Sequence, residues 1–389
     1  MKNLKYILSA RWIALLGEYL QSIILPILIF NMNNSSILLS ATYIAETLPW
    51  IIISPILIPR VNKFINDRVL ICLNPLFKSI LVFILSIYIS NYFIVIIIFI
   101  GLGILNSINA SYNMKITKSS IPQSKVDKFI GIILGIDDII SVVAPVIVTV
   151  MITKQVNSVI ILRLHSFLLI ISSLLLTRVK FKLKDEEITE IKGESVKSYL
   201  SKDNRLKFLM KIEFLRSVAE GIYIPLLIVY FKEIIIAADE IFSLSQTMMC
   251  LFQIIFSFAY IRLNKHLSKK NIILIATLNI CIALILIINT NTIISYFMAC
   301  CLLGIGMSLS QLVAENLLIT ICTEENITTI TTKYNSIIAL GYLIGYFISL
   351  LQVNRYILMY FMVSLCLLII SLFITLHFKE NINGAIIRN

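Results

Sequence analysis

Charge is what this chain has least of. Of its 389 residues only 14% are charged, against about a quarter in soluble globular proteins. Acidic residues are scarcer than basic ones, 21 against 33, which leaves a formal net charge of +12. No G-x-x-x-x-G-K-[ST] run occurs, so a phosphate-cradling loop for ATP is not expected. The seven cysteines (Cys72, Cys250, Cys281, Cys300, Cys301, Cys322, Cys366) contain no C-x-x-C pair and fall mainly in apolar runs. They read as small core residues, not as a zinc or disulfide framework. His165, His266 and His377 do not cluster, and metal-ligand spacing is absent. No nucleophile–base set converges either, so neither an enzyme nor a metal or cofactor site is expected. The positive charge does not point to nucleic acid, because Lys and Arg sit in short segments between apolar runs with no aromatic-interleaved basic face.

What is abundant is apolar sequence. The hydrophobic fraction is 59% and the mean hydropathy is +0.95. Runs such as Tyr92 to Leu105 and Ile272 to Ile288 are too long and too uniform for strands with one wet face. About 20 apolar residues span the roughly 30 Å of bilayer hydrocarbon. Polar punctuation predicts twelve spans near 10–30, 36–58, 69–89, 92–113, 129–152, 158–177, 212–231, 241–261, 272–288, 293–317, 334–351 and 356–377. Lys2 and Lys5 before an apolar stretch look like a signal peptide, but that stretch continues past Glu18 to Phe30 without a small-residue cleavage pattern. It reads as a retained first span. The expected fold class is therefore an all-α polytopic membrane protein in a lipid bilayer.

Orientation follows from the basic residues. Segments on the side of the termini carry 28 Lys and Arg, and the alternate loops carry three, Lys154, Lys232 and Arg355. By the positive-inside rule both termini and the central linker are cytoplasmic, in a bacterial inner (cytoplasmic) membrane.

The halves echo each other. Asn62-Lys63 after span 2 matches Asn264-Lys265 after span 8 at an offset of 202. Gly101-x-Gly103 matches Gly304-x-Gly306 at 203, and Pro26-Ile-Leu-Ile resembles Pro225-Leu-Leu-Ile at 199. This predicts an N-terminal six-helix bundle over 1–178, a linker over 179–211 and a C-terminal six-helix bundle over 212–389. Parallel six-helix repeats of this kind are one of the known transporter architectures.

On these residues the chain resembles the major facilitator superfamily. Its N-terminal half resembles the branch of enterobactin exporters and macrolide efflux proteins. That branch's Gly-Asp, Ala-Leu-Pro and Thr-Gly-Ser of span 1 correspond to Gly17-Glu18, Ile24-Leu25-Pro26 and Asn33-Asn34-Ser35. Leu48-Pro49, Ser54-Pro55 and Pro145 also match. The superfamily's loop motif is represented by Asn62, Lys63 and Arg68, with its glycine and aspartate absent. The span 5 motif keeps only Ala144-Pro145. The resemblance implies two pseudo-symmetric bundles rocking around a central cavity lined by spans 1, 4, 7 and 10. It implies a monomeric secondary transporter that moves a small-molecule substrate, and proton-coupled efflux of a drug, macrolide or siderophore by alternating access. Uptake of a nutrient, lysophospholipid movement and a non-transporting sensor are the alternatives.

Acidic side chains at mid-span cost about 2.5–3.5 kcal/mol on insertion scales, so each needs a partner, a proton or water. Glu18, with Gln21 one turn on, is a coupling or cavity candidate, or a helix-packing carboxyl. Glu213, Arg216 and Glu220 share a face of span 7, where Glu213–Arg216 reads as a structural pair and the deeper Glu220 as a cavity residue. Asp138, on a face with Ser141 and Pro145, is the better cavity candidate of the Asp137–Asp138 pair, with Lys78 or Arg163 as its partner. Gln311 and Glu315, with Ser308, form a stripe on span 10, and Asn106, Asn109 and Asn113 form one on span 4. Such stripes suit a watery pathway or interhelical hydrogen bonding. Glu46 in span 2 is a further cavity candidate. Asn62, Lys63, Asn264 and Lys265 read as conformational latches between helix ends, and Gly341-x-x-x-Gly345 as a close helix approach.

Overall fold

In lipid every backbone N–H and C=O must be satisfied within the chain, so apolar runs of this length can only be helical. The computed structural model describes residues 2–33, 36–52, 67–120, 126–179, 203–321, 327–351 and 356–378. Among these residues there are twelve α-helices and no strand. The first six are α1 (Lys2–Asn33), α2 (Ser36–Ile52), α3 (Asp67–Tyr88), α4 (Tyr92–Ser120), α5 (Val126–Thr153) and α6 (Ser158–Thr177). The second six are α7 (Asn204–Tyr230), α8 (Asp239–His266), α9 (Lys269–Asn289), α10 (Ile293–Ile321), α11 (Ile327–Leu350) and α12 (Ile357–His377). Seven of them hold segments long and apolar enough to cross a membrane. In α2, α3 and α5 the apolar stretches are shorter, Ile37–Ile52, Cys72–Tyr88 and Ile139–Thr153.

Several helices outrun the hydropathy-defined spans. α1 begins at Lys2, α7 begins at Asn204, and α4 runs on to Ser120. Hydropathy marks where lipid lies, whereas hydrogen bonding carries a helix into polar sequence until a cap or breaker stops it. The 32 residues of α1 span about 48 Å at 1.5 Å per residue. Asp203 caps α7 by accepting from the Arg205 backbone N–H at 2.8 Å, and Ser268 caps α9 through the Asn271 N–H. α7 ends in a π-turn, Phe231–Ile235, followed by Ile236 in the left-handed region at φ 56°, ψ 50°.

The chain divides into two units. One comprises Met1–Asp185 with Ala237–Thr247, the other Glu186–Ile236 with Met248–Asn389. In the first, α1 packs on α5 and α6, α3 packs on α4 and α6, and α2 packs on α4. In the second, α7 packs on α11 and α12, and α9 packs on α10 and α12. Met249 of α8 meets Gly304 of α10. The same pairing pattern recurs in each unit, as duplication requires.

Glycines mark the tightest of these contacts. A Cβ at Gly345 would strike the Val218 carbonyl and Gly221, and one at Gly341 would strike Ser217, so α11 lies directly against α7. Gly103 abuts the Glu46 carbonyl of α2 and Gly101 abuts Leu81 of α3. Gly304 abuts α8 and Gly306 abuts Ile280 and Ala276 of α9. Two residues apart are opposite faces of a helix. Pairing Gly101 with Gly304 by sequence offset therefore joins glycines that face different neighbours. By contact, Gly103 corresponds to Gly304, a register two residues away from the one the sequence suggests.

Outward faces are greasy. Phe93, Ile294, Leu174, Phe258 and Phe167 are each more than half exposed. A water-soluble surface avoids such apolar density, and a lipid-facing one requires it. Inside, small hydroxyls bind helix to helix. Ser79 of α3 and Ser166 of α6 bond at 2.9 Å, Ser172 donates to the Ala10 carbonyl at 2.8 Å, and Ser364 donates to that of Ala219 at 3.2 Å. Ser308 belongs to this set. It bonds Ser257 at 2.9 Å and the Gln253 carbonyl at 3.1 Å, so it joins α10 to α8.

Candidate functional site

Side chains from five helices of the first unit enclose a cavity of about 250 Å³. Glu18, Gln21, Ser22 and Leu25 come from α1, Tyr43 and Glu46 from α2, and Lys78 and Val82 from α3. Leu102 and Asn106 come from α4, His165 and Leu169 from α6. Eight of these twelve residues are polar. In a segment otherwise built of Ile and Leu, such convergence costs stability unless each group is satisfied.

Three pairings satisfy most of it. Lys78, with a side chain only 5% exposed, donates from Nζ to Glu18 Oε1 at 2.9 Å. Glu18 is 40% exposed to the cavity. Asn106 Nδ2 donates to Glu46 Oε1 at 3.0 Å. His165 Nδ1 lies 2.8 Å from Gln21 Oε1. An amide oxygen only accepts, so with this amide orientation Nδ1 carries the proton. His165 is buried against α1, where a Cβ at Gly17 would collide with its imidazole. Here is a physical reason for glycine ahead of Glu18: the ring occupies the space a side chain would need. Gly103 plays the matching part for α2, because its missing Cβ lets α4 approach the Glu46 carbonyl and set Asn106 beside the carboxylate.

Glu18, Gln21, Glu46 and Asn106 are thus brought together as a group. Asn109 is half-buried further along α4 and is not among the lining residues. Lys78, offered by the sequence as a partner for Asp138, is instead the partner of Glu18, because α1 and α3 both pack on α6. Arg163 is exposed. The Asp138 and Asn113 side chains lie outside the described residues. The neighbouring Asp137 pairs with Arg11 of α1 at 2.6 Å. Arg11 is thus a cation within the first span that holds α1 to α5.

The second unit holds a different polar group. Arg216 meets Glu213 Oε2 at 2.5 Å and Glu220 Oε1 at 3.2 Å, and Tyr342 of α11 donates its hydroxyl to Glu220 Oε2. Both carboxylates are almost wholly buried. Glu220, expected as a cavity residue, shares the Arg216 guanidinium with Glu213. A buried carboxylate one helical turn from an arginine finds its counter-charge there. On α10, Gln311 donates to Glu315 at 2.9 Å on an exposed surface.

Other expected residues have structural surroundings. The Pro145 carbonyl accepts from Thr149 at 2.9 Å and Ser243 at 3.2 Å, a polar contact between α5 and the start of α8. Asn264 and Lys265 are exposed in the last turn of α8, where a cation complements the helix dipole. Asn62 and Lys63 lie outside the described residues, as does the Arg68 side chain. At the polar start of α7, burial raises the Asp203 carboxyl, but hydrogen bonds from Arg205 outweigh it and hold the carboxyl below its usual range.

No pattern in the sequence marks His165, Tyr43 or Ser22 as part of a site. The available signal was their isolation: one histidine in an apolar span, and Tyr43 one turn before Glu46 on the same face.

No family model matches this chain, and no curated protein sequence matches it. Solved structures do. A bacterial homologue of the iron transporter ferroportin, in an inward-facing state, superposes with a TM-score of 0.73 at 14% identity, covering 96% of this chain and 98% of its own. The nucleoside transporter NupG gives 0.74 at 11% identity, covering 97% and 100%. A D-xylose–proton symporter gives 0.71 at 12%, covering 98% of each. The chain has the fold these proteins share, the twelve-helix, two-bundle major facilitator fold.

Proposed function

We propose that this protein is a secondary transporter working by alternating access, which exports a small amphipathic molecule in exchange for protons. The observation that carries the reading is the cavity of the first unit, where two carboxylates, one lysine and a histidine meet four aliphatic side chains. Intramembrane ionisable groups at a watery cavity mark substrate and proton pathways. The fold of the solved transporters supports the class. The resemblance of span 1 to the enterobactin-exporter and macrolide-efflux branch favours export and proton coupling. In this reading the protein sits in the cytoplasmic membrane as a monomer with both termini inside. Residues 1–178 and 212–389 are its bundles and 179–211 its linker. Glu18, Gln21, Glu46 and Asn106 form the cavity side of the pathway, with Asp138, Glu220, Gln311 and Glu315 as further contributors.

The test is transport in inverted membrane vesicles and in cells of a pump-deleted host, against a compound panel, with and without collapse of the proton gradient. Gradient-dependent loss of a compound from cells, abolished by Glu18→Gln or Glu46→Gln, is the expected result. Gradient-driven accumulation in cells would establish uptake instead. Transport indifferent to both the gradient and the carboxyl variants would end the coupling claim.

A further inference from the structure

The charges in the cavity do not balance, and the imbalance falls on one residue. Glu18 on α1 is taken by Lys78 on α3 at 2.9 Å. Glu46 on α2 receives an amide hydrogen bond from Asn106 on α4, and among the described residues no cation lies within 4 Å of it. The other groups facing the cavity are His165 on α6, engaged with Gln21, and Tyr43 on α2 itself. With both carboxylates ionised and Lys78 charged, the described lining residues carry a net charge of one negative, because a single lysine faces two carboxylates. A carboxylate in so apolar a bundle holds either a proton or a bound cation.

We infer that Glu46 is the exchange group of this cavity, and that the ligand it exchanges for a proton is a small monovalent organic cation of the alkylammonium class. This rests on the transporter reading above and deepens it. The step balances simply. The cation enters beside the protonated Glu46, the carboxyl O–H bond breaks, the proton passes to water, and the carboxylate left behind pairs with the ammonium. One charge enters as one leaves, so exchange is electroneutral. Size follows from the cavity, whose roughly 250 Å³ falls below the 300–1,000 Å³ of sites for drug-sized ligands. Leu25, Val82, Leu102 and Leu169 supply an apolar wall for the alkyl groups. Tyr43, one turn from Glu46 and among the lining residues, supplies an aromatic ring of the type that receives quaternary ammonium ions. Lys78 keeps Glu18 from competing for the same cation.

Purified full-length protein in weakly buffered detergent solution is titrated with a graded series from tetramethylammonium to tetrapropylammonium and with choline, while bound cation and released proton are measured together. 3,3-Dimethylbutan-1-ol, the uncharged carbon analogue of choline, is the control. At least one cation of the series should bind saturably and release one proton per cation below the pH at which Glu46 is ionised, and the alcohol should do neither. Over that acid range the apparent Kd should fall about tenfold per pH unit. Glu46→Gln should abolish proton release and weaken binding at least tenfold, and Glu46→Asp should restore release. The wild-type pH dependence stands even if the glutamine variant does not fold. No saturable binding by any cation, equal binding of the alcohol, or binding without proton release overturns the inference. Binding with proton release in a protein whose transport ignores the gradient would leave this site assignment standing and refute the coupled-transport reading.

Discussion

The Glu18–Lys78 pair permits a prediction that uses its asymmetry. Removing one partner of a buried ion pair costs about 3–5 kcal/mol, because the other charge is stranded, whereas replacing both is often neutral. The two ends here are not equally buried, since Lys78 is 5% exposed and Glu18 is 40% exposed. Glu18→Gln takes the paired carboxylate from an ammonium packed between α1, α3 and α6 and leaves Glu46 of the same cavity to offset it in part, so the lower end of that range, about 3 kcal/mol, is expected. Lys78→Met strands a carboxylate that cavity water can hydrate, and screening reduces its cost to about 1 kcal/mol. The double variant should return to within about 0.5 kcal/mol of wild type, a coupling near 4 kcal/mol where independent sites would simply add. Thermal and denaturant unfolding of the four proteins in one detergent, followed by intrinsic fluorescence and gel filtration, reads these values. Equal single costs, or a double variant as unstable as the sum of the singles, would refute the argument that differential burial sets the energetics. A Glu18→Gln variant rescued only when Glu46 is intact would show Lys78 turning to the second carboxylate.

Other consequences follow from close contacts and caps. Gly345→Ala should destabilise by about 2 kcal/mol despite alanine's better helix propensity, because its Cβ would meet backbone atoms of α7 that cannot swing aside. Unfolding midpoints of Gly345→Ala beside an alanine substitution of the exposed Leu340 would separate the two effects. Ile236, a β-branched residue at φ 56°, sits where helices usually place glycine, so Ile236→Gly should stabilise by about 1 kcal/mol. A lowered unfolding temperature would show the left-handed residue to be compensated elsewhere. Asp203 has a folded pKa held below its unfolded value. Its contribution is therefore complete above the unfolded pKa and is lost as pH falls through the folded one. Asp203→Ala should cost about 1 kcal/mol near neutrality, as for other N-caps, and the difference from wild type should shrink in acid. A pH-independent difference would contradict the capping account.

Fold class was legible in the sequence. Twelve apolar segments leave the backbone no option but helix, and their alternation with basic connections carries the proposed orientation. Both are local properties, readable residue by residue. The duplication was legible as well, though not its register. Glycines two apart look interchangeable in sequence, but on a helix they face opposite ways, and only packing shows that Gly103 and Gly304 do the same work. The candidate cavity was half legible. Glu18, Gln21, Glu46 and Asn106 were nameable because polar groups in apolar spans are costly wherever they occur. Their partners were not, because a side chain's counter-charge lies on whichever helix packs against it. Tertiary structure gave Lys78 to Glu18, Arg11 to Asp137 and Tyr342 to Glu220, whereas the Arg216 pairs with Glu213 and Glu220 are local to α7. It also left Glu46 bonded to an amide, with no cation within 4 Å among the described residues. That remainder is a sum over five helices, and no single segment of the chain contains it.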